Sequence, residues 1–286
     1  MDVEIADLLN LLELEQLEVN LFRGASRDIG SPQVFGGQVL GQALTAASAT
    51  VAGRVVHSLH AYFLRRGDFN APIVYQVDRS LDGHSFANRR VVAIQHGEQI
   101  FNMAASFQVV EEGLDHQIEM PSVPPPESLD DKMHLPPEIG RHLPERLRQF
   151  FAQPRPFVFR IVPPGAASAQ RREPARQIWF KALGRLPDDE RLHRNLLAYA
   201  SDFFLLGTSM LPHQTSEFEG RLVIASLDHA MWFHRSLRVD DWLLYAMESP
   251  SASGARGFAR AGIFSRDGRL VATTAQEGLV RIKRGK

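Results

Sequence analysis

The chain has 286 residues, a net charge of -1, 44% apolar residues and no cysteine. This length suits about two domains. The near-neutral charge gives no reason to expect a nucleic-acid partner. The lack of cysteine excludes disulfides, thiolate zinc sites and cysteine nucleophiles. No apolar run approaches the ~18 residues of a membrane span, and the acidic first residues are unlike a secretory signal. We therefore expect a cytoplasmic protein that does not associate with membranes.

The first part of the chain predicts one buried helix followed by four strands. Residues 2–15 carry apolar side chains at helical spacing, which indicates an amphipathic helix, and residues 17–22 alternate as a strand would. Residues 38–49 are rich in small residues and nearly apolar all round, so the helix they predict must be buried on most sides. Strand-like runs that end in polar turns follow at residues 54–66, 73–81, 86–95 and 99–110. This order predicts an antiparallel sheet wrapped around one helix.

The pattern is interrupted after about residue 110 and then resumes. The stretch 111–153 is charged and rich in proline, which predicts an inter-domain linker with one short helix near 145–151. Strand-like runs at 157–162 and 177–183 come next. An acidic first turn then opens a helix predicted to include residues 192–206, and a strand-like run follows at 223–235.

Two parts of the chain resemble each other. The runs 56–65 and 223–235 each place a serine, Ser58 or Ser226, two residues before a charged or imidazole side chain, and each continues through an aromatic pair to an arginine. Turn glycines Gly97 and Gly268 lie 171 residues apart within the same order of elements. So long a repeat indicates two fused copies of one domain and not a solenoid. We predict an N-terminal domain over residues 1–115, a linker over 116–154 and a C-terminal domain over 155–286.

Three polar residues of the second copy are candidates for a site. Asp202 lies among apolar neighbours in a predicted central helix, where a carboxylate is costly to bury unless it has a partner. Gln276 lies in a strand otherwise made of Val, Ala and Thr, and Ser226 lies in the repeated strand. Each also has a plainer explanation, as a helix-end aspartate that reaches water, an exposed strand glutamine and a structural strand serine. Their counterparts in the first copy are predicted to be Thr45, Ser58 and Ala105.

Five motifs carry a resemblance to a known family. They are residues 34–44 (VFGGQVLGQAL), 57–65 (HSLHAYFLR), 227–235 (LDHAMWFHR), 251–257 (SASGARG) and 276–278 (QEG). Together they closely resemble the acyl-CoA thioesterase II family, over nearly the whole chain except the linker. The resemblance implies an α+β double hotdog fold, in which two antiparallel sheets each wrap around a central helix. It also implies hydrolysis of fatty acyl-CoA to free acid and CoA, and it places the family's catalytic aspartate, threonine or serine, and glutamine on Asp202, Ser226 and Gln276.

The chemistry of such a trio is attack by an oriented water. A thioester carbonyl lacks ester resonance and the thiolate leaves readily, so no covalent nucleophile and no cofactor is expected. Asp202 is predicted to orient and partly deprotonate the water, with Ser226 and Gln276 fixing its position. A backbone N–H near a helix start is expected to polarise the carbonyl. Arg256, in a turn-like stretch, is a candidate for binding the CoA phosphates, with a surface salt bridge as the equal alternative.

Other catalytic sites have weak support. Residues 83–87 (GHSFA) miss the nucleophile-elbow pattern at its last position and lie between two predicted antiparallel strands, so Ser85 is not expected to be a nucleophile. Four histidines fall on strands without the usual metal-ligand spacing, and no metal is predicted: His57, His60, His229 and His234. The chain contains neither a dinucleotide-binding nor a P-loop motif.

A second class of function stays open at this point. A non-catalytic acyl-CoA sensor or carrier could use the same fold, because a fold does not fix a function. The presence of Asp202 and Gln276 favours the enzyme. Sheet edges and apolar residues also suggest a homo-oligomer.

Overall fold

The computed structural model describes residues 3–31, 33–130, 155–165, 173–213 and 222–282. Its α-helices within these ranges are α1 (Val3–Leu12), α2 (Gly36–Ala49), α3 (Glu190–Ser201) and α4 (Leu205–Thr208), with one 3-10 turn at Pro126–Ser128. The described strands are β1 (Glu15–Glu18), β2 (Leu21–Gly24), β3 (Val55–Phe63), β4 (Ile73–Asp82), β5 (Phe86–Gln95), β6 (Glu98–Gln108), β7 (Phe157–Ile161), β8 (Ala175–Ala182), β9 (Leu222–Ser226), β10 (Asp228–Phe233), β11 (Leu243–Ser253), β12 (Arg256–Ser265) and β13 (Leu270–Ile282). The helix predicted near 145–151 lies outside the described residues. Of the helices described, none has the length and apolar character needed to cross a membrane.

All described strands belong to one antiparallel sheet. Its order is β1-β2-β4-β5-β6-β3-β10-β13-β12-β11-β8-β7, and β9 pairs with β13 beside β10. We call β1–β6 with α2 the first half, and β7–β13 with α3 and α4 the second half. The two halves meet at an antiparallel pairing of β3 with β10, from Asp228 opposite Tyr62 to Trp232 opposite Ser58, which we call the seam. The two predicted sheets are thus joined edge to edge.

The two long helices α2 and α3 pack against each other as the core of this sheet. Most residues of both helices are buried, as the apolar pattern of residues 38–49 predicts. Small side chains allow a close approach, since a Cβ on Gly41 would lie 3.3 Å from the Cβ of Tyr199. Each half therefore has one central helix, and the two helices share one core.

The helix predicted over 192–206 is broken at its C-terminal end. The hydroxyl of Tyr245 donates to Ser201 O at 2.7 Å, which is the carbonyl that Leu205 N–H would bond if the helix continued. Leu205 N–H donates to Phe203 O instead, at 2.9 Å. Phe204 takes a left-handed conformation with φ of 67°, and α4 begins after it. The break places Asp202 at the end of α3 and not inside a longer helix.

Two strand predictions also differ from the structure. Residues 17–22 span a hairpin of β1 and β2 with a turn at Val19 and Asn20, because β1 is exposed on both faces and stops short of the core. The run 223–235 is divided into β9 and β10 at Leu227. The N–H of Leu227 donates to Glu277 O, and its carbonyl accepts from Phe63 N–H, so this residue connects the second half to the seam.

The strand register corrects one predicted correspondence between the halves. Phe63 is opposite Phe101, and Phe233 is opposite Ala272, 171 residues after Phe101. Phe63 and Phe233 are therefore equivalent, and counting back along both strands makes Ser226 equivalent to Val56. The predicted equivalence of Ser226 with Ser58 is wrong by two residues, because the motif comparison did not fix the register against the neighbouring strand.

The contacts between α2 and α3 agree with the predicted equivalence of Thr45 and Asp202. Thr45 Oγ1 of α2 accepts a hydrogen bond from Asn195 Nδ2 of α3 at 3.1 Å. At the other end of the helix pair, the carboxyl of Asp202 meets the first turn of α2 at Gly36, close to Gln38, the residue that this pairing makes the counterpart of Asn195. Thr45 and Asp202 thus both contact the opposite helix, which agrees with the predicted equivalence.

The described part of the predicted linker, up to residue 130, lies along the second half. Trp179 Nε1 donates to Pro124 O at 3.0 Å, and Arg266 forms a two-pronged ion pair with Glu127. Further back, Leu270 N–H donates to the side chain of Gln117 at 3.0 Å. These contacts fix the extended, proline-rich chain to the outside of the sheet.

Candidate active site

Asp202, Ser226 and Gln276 come together in one hydrogen-bonded group. Gln276 Nε2 donates to Asp202 Oδ1 at 2.7 Å and to Ser226 Oγ at 2.9 Å. Ser226 Oγ lies 3.5 Å from the same carboxylate oxygen and donates toward it. The three side chains come from the end of α3, the end of β9 and the middle of β13. The sequence had singled out each of them separately, and the fold brings all three into contact.

The surroundings of Asp202 make its carboxyl a stronger base than usual. Burial raises its pKa from 3.8 to about 6, although hydrogen bonds from Gln276, Gly37 N–H and Ser226 oppose that rise. Gln276 is completely buried, and its Oε1 atom has no hydrogen-bond partner among the described residues. A carboxylate with a pKa near neutrality is well suited to accept a proton from water.

The first turn of α2 meets the trio from the other half of the molecule. A Cβ on Gly36 would lie 2.7 Å from Asp202 Oδ2 and 3.0 Å from Phe63 Cε1, and a Cβ on Gly37 would lie 2.2 Å from Tyr199 O. Only glycine therefore fits at these positions without displacing the carboxylate or α3. The first amides of a helix have no intrahelical acceptor and carry partial positive charge, so this helix start faces the trio with hydrogen-bond donors.

A small cavity of about 50 Å³ opens beside Ser226 and Gly36. Phe63 and Phe101 contribute apolar wall, and the exposed residue Arg65 lies at its rim. This volume is enough for at least one ordered water. Of the three residues, Ser226 lines this cavity, and the other lining residues come from the first half.

The equivalent place in the first half is filled. Counting along the helices from the pair of Thr45 and Asp202, Arg194 is the counterpart of Gly37. Its guanidinium donates to the carbonyl of Val56, the counterpart of Ser226, and forms an ion pair with Glu190 at 2.7 Å. In the first half a charged arginine thus lies where the second half has a glycine, and it bonds the backbone of the residue that replaces Ser226.

Arg256 lies on the other side of the sheet from the trio. Its Nε donates to Glu277 Oε1 at 2.9 Å, and both side chains are partly exposed. Glu277 directly follows Gln276 in β13, and successive strand side chains point to opposite faces. Arg256 therefore lies apart from the trio, in an ion pair with Glu277 at the surface.

Sequence reasoning assigned no role to Gly36 and Gly37. The signal was present, since two consecutive glycines directly precede the predicted buried helix within the motif 34–44. What the sequence lacked was the partner, because the carboxylate they approach is Asp202, far away along the chain. Only the packing of α2 against α3 brings these residues together.

Two family models match the chain. Residues 155–279 match the model described as acyl-CoA thioesterase, and residues 24–108 match the model described as the acyl-CoA thioesterase N-terminal domain. The matched segments contain α2 and its sheet in the first half and the whole trio in the second.

Named relatives match over nearly the full chain. Acyl-CoA thioesterase 2 of Haemophilus influenzae is 43% identical over 277 residues, covering 96% of this chain and 97% of its own. Human acyl-coenzyme A thioesterase 8 is also 43% identical, covering 96% of this chain and 88% of its own.

Solved structures agree with these matches. An acyl-CoA thioesterase II, TesB2, from Mycobacterium marinum superposes with a TM-score of 0.81 at 44% identity, covering 98% of this chain and 100% of its own. A hot dog fold protein from Alicyclobacillus acidocaldarius superposes with a TM-score of 0.75 at 19% identity, covering 97% and 99%. The double hotdog fold predicted from the sequence is confirmed, and so is the resemblance that suggested it. The chain belongs to the acyl-CoA thioesterase family.

Proposed function

We propose that this protein hydrolyses fatty acyl-CoA thioesters to free fatty acid and CoA, with Asp202, Ser226 and Gln276 as its catalytic residues. The observation that carries the assignment is the convergence of the three side chains within 3.5 Å, in a single hydrogen-bonded group. Membership of a family of thioesterases supports the reaction type.

In the proposed mechanism, Asp202 acts as the general base. It takes a proton from a water while the oxygen of that water attacks the thioester carbonyl carbon. The C–S bond of the resulting tetrahedral intermediate then breaks, and the CoA sulfur leaves as a thiolate or takes the proton back from Asp202. Base assistance of this kind is typically worth about 10²–10⁴-fold in rate. Ser226 and Gln276 hold the carboxylate and the water in position for this transfer.

The negative charge that develops on the carbonyl oxygen needs a hydrogen-bond donor, and the amides at the start of α2 are the best placed donors. Gly37 N–H faces Asp202 closely enough to lower the pKa of its carboxyl, whereas Gly36 N–H is the first amide of the helix and lies at the cavity. We assign the oxyanion contact to Gly36 N–H. A preorganised donor of this type contributes roughly 3–4 kcal/mol in other hydrolases.

Catalysis is proposed for the second half alone. Thr45, Val56 and Ala105 occupy the places of the three catalytic residues in the first half, so that half lacks the carboxylate, the hydroxyl of Ser226 and the amide. Arg194 bonds the backbone of Val56 and pairs with Glu190 there. Each chain therefore has one active site.

The experiment that tests the function is CoA release from a series of acyl-CoA chain lengths. A thiol-reactive dye reports the product directly, and the enzyme gives no background because it contains no cysteine. Turnover with any chain length supports the proposal and defines the preference. Binding of acyl-CoA without CoA release at any length would instead identify the non-catalytic sensor or carrier.

Two further properties remain predictions. We propose that the protein is a homo-oligomer, which light scattering on a size-exclusion column tests directly by mass. A mass of one chain, 32.0 kDa, would contradict it. The cytoplasmic location is likewise proposed, and cell fractionation would check it.

A further inference from the structure

A cluster of buried polar side chains lies behind the trio and has no part in the mechanism above. His229 of β10 is completely buried. Its Nε2 atom lies 2.9 Å from Ser201 Oγ and 3.0 Å from Thr274 Oγ1. The three side chains therefore connect the end of α3 with strands β10 and β13.

The hydrogen bonds of the two hydroxyls define the state of the imidazole. Ser201 Oγ donates to Ala198 O, and Thr274 Oγ1 donates to Ala230 O, both at 2.9 Å. Each hydroxyl has one hydrogen; with both hydrogens on these carbonyls, both hydroxyls accept from His229, and we assign the proton of the ring to its Nε2. Burial lowers the pKa of His229 to about 3, which keeps the ring neutral. His229 thus acts as a fixed donor to two acceptors.

The cluster lies directly next to the catalytic residues along the chain. Ser201 immediately precedes Asp202. Thr274 precedes Gln276 by two residues in β13, so their side chains project from the same face of the strand. A donor shared between Ser201 and Thr274 therefore ties the helix end that carries the carboxylate to the strand that carries the amide.

The first half shows that the fold does not need this cluster. By the strand and helix correspondences given above, the counterparts of His229, Ser201 and Thr274 are Leu59, Leu44 and Met103. All three counterparts are buried in the core. The same three positions are thus filled by apolar side chains in the half without a carboxylate and by polar ones in the half with it. Because burying polar groups costs free energy, a role connected with the site explains the difference.

We propose that His229 is a positioning residue for the hydrolysis. By bridging Ser201 and Thr274, it holds Asp202 and Gln276 at hydrogen-bonding distance. This inference rests on the proposed function. It predicts an effect on turnover and not on substrate binding, since the cluster lies behind the trio.

The first test compares two substitutions at one position. His229→Leu removes the donor and should lower kcat about 10- to 100-fold, because small displacements of catalytic groups have effects of this size. The KM for acyl-CoA should stay within about twofold, as expected when an interaction acts only in the transition state. His229→Gln, whose Nε2 reaches about as far and donates two hydrogens, should restore most of the rate. Unchanged kcat in His229→Leu, or an equal loss in His229→Gln, would overturn the proposal.

A control separates positioning from general stability. Tyr75 is the first-half counterpart of Tyr245, is completely buried and donates to Gln42 Oε1 at 2.6 Å. Tyr75→Phe removes a buried hydrogen bond of the first half, which bonds none of the three catalytic residues, and should lower the melting temperature without changing kcat. If its kcat falls as much as that of His229→Leu, the loss reports general destabilisation and the positioning role is wrong.

A triple variant keeps the test decisive if the single change disturbs folding. Ser201→Leu with His229→Leu and Thr274→Met copies the apolar cluster of the first half, so it should fold at least as stably as the wild type while losing kcat. A folded triple variant with wild-type kcat would overturn the proposal, and so would failure of both variants to fold. These results can be distinguished from a failure of the proposed function. If Asp202→Asn keeps full activity, the proposed active site is wrong. If Asp202→Asn is inactive and His229→Leu is fully active, only the positioning role is refuted.

Discussion

Replacing Asp202 by asparagine tests the proposed base with the smallest change in shape. The amide keeps an Oδ1 atom that can accept the 2.7 Å hydrogen bond from Gln276 Nε2, so the trio should stay assembled. It cannot take a proton from water at neutral pH. We expect kcat to fall by about 10²–10⁴-fold with a much smaller change in KM.

The same substitution should stabilise the protein against unfolding near neutral pH, as the pKa of Asp202 shows. Burial raises the pKa of Asp202 from 3.8 to about 6, so the folded protein binds this proton more tightly than the unfolded chain does. The corresponding stability is fully present below pH 3.8 and is lost as the pH rises through 6. Above that pH the ionised carboxylate costs up to roughly 3 kcal/mol. Asp202→Asn should therefore melt several degrees higher than the wild type near neutral pH, and the two should converge in acid.

Both effects are measurable with CoA release and thermal melting across a pH series. The wild-type kcat/KM should fall about tenfold per pH unit below a midpoint near 6, the pKa of the carboxyl, and the residual activity of Asp202→Asn should lack that midpoint. Thr45→Ala is the matched control, because Thr45 takes the equivalent place in the first half and should leave kcat unchanged. Wild-type turnover in a folded Asp202→Asn, or a greater loss in Thr45→Ala, would show that the base has been misplaced.

Other predictions follow from the same geometry. Gly36→Ala should lower kcat by about 100-fold, because its Cβ would lie 2.7 Å from the catalytic carboxylate. Gly207→Ala is the control and should leave kcat unchanged, because its Cβ meets nothing within 4 Å. Equal kcat values for the two variants would refute the prediction. Gln276→Ala should lower kcat more than Ser226→Ala, whose hydroxyl a water can replace. Their double mutant should lose less than the product of the single losses because both groups hold one water, and multiplicative losses would show independent action. Arg256→Ala should raise the KM for acyl-CoA with kcat unchanged, and an unaltered KM would exclude Arg256 from CoA binding.

Much of the fold could be predicted because its signals are local. The small, apolar residues of α2 indicate a buried helix, and the alternating runs with polar turns indicate strands; β5 has the bounds that the pattern predicts. The repeat then suggests two copies of one unit. The candidate site followed from differences between the copies, since a lone carboxylate such as Asp202 is conspicuous only beside a threonine at the equivalent position.

The features that sequence patterns missed depend on contacts between distant parts of the chain. The end of α3 is set by the hydroxyl of Tyr245, which comes from β11 and takes the carbonyl that would continue the helix. The correspondence of Ser226 depends on strand register, which a motif comparison does not determine. The approach of Gly36 to Asp202 arises from helix packing. In each case the local sequence is compatible with two structures, and the remote contact decides between them.

The seam between β3 and β10 limits how the molecule can move. Five pairs of residues are in register across it, so a hinge motion that separated the halves would break a backbone ladder in the middle of the sheet. The helix start at Gly36 belongs to one half and Asp202 to the other, and the seam holds them at a fixed distance. Substrate must then enter through rearrangement of side chains and surface loops around a rigid frame. Amide hydrogen exchange should accordingly be slowest along β3 and β10, whether or not acyl-CoA is bound.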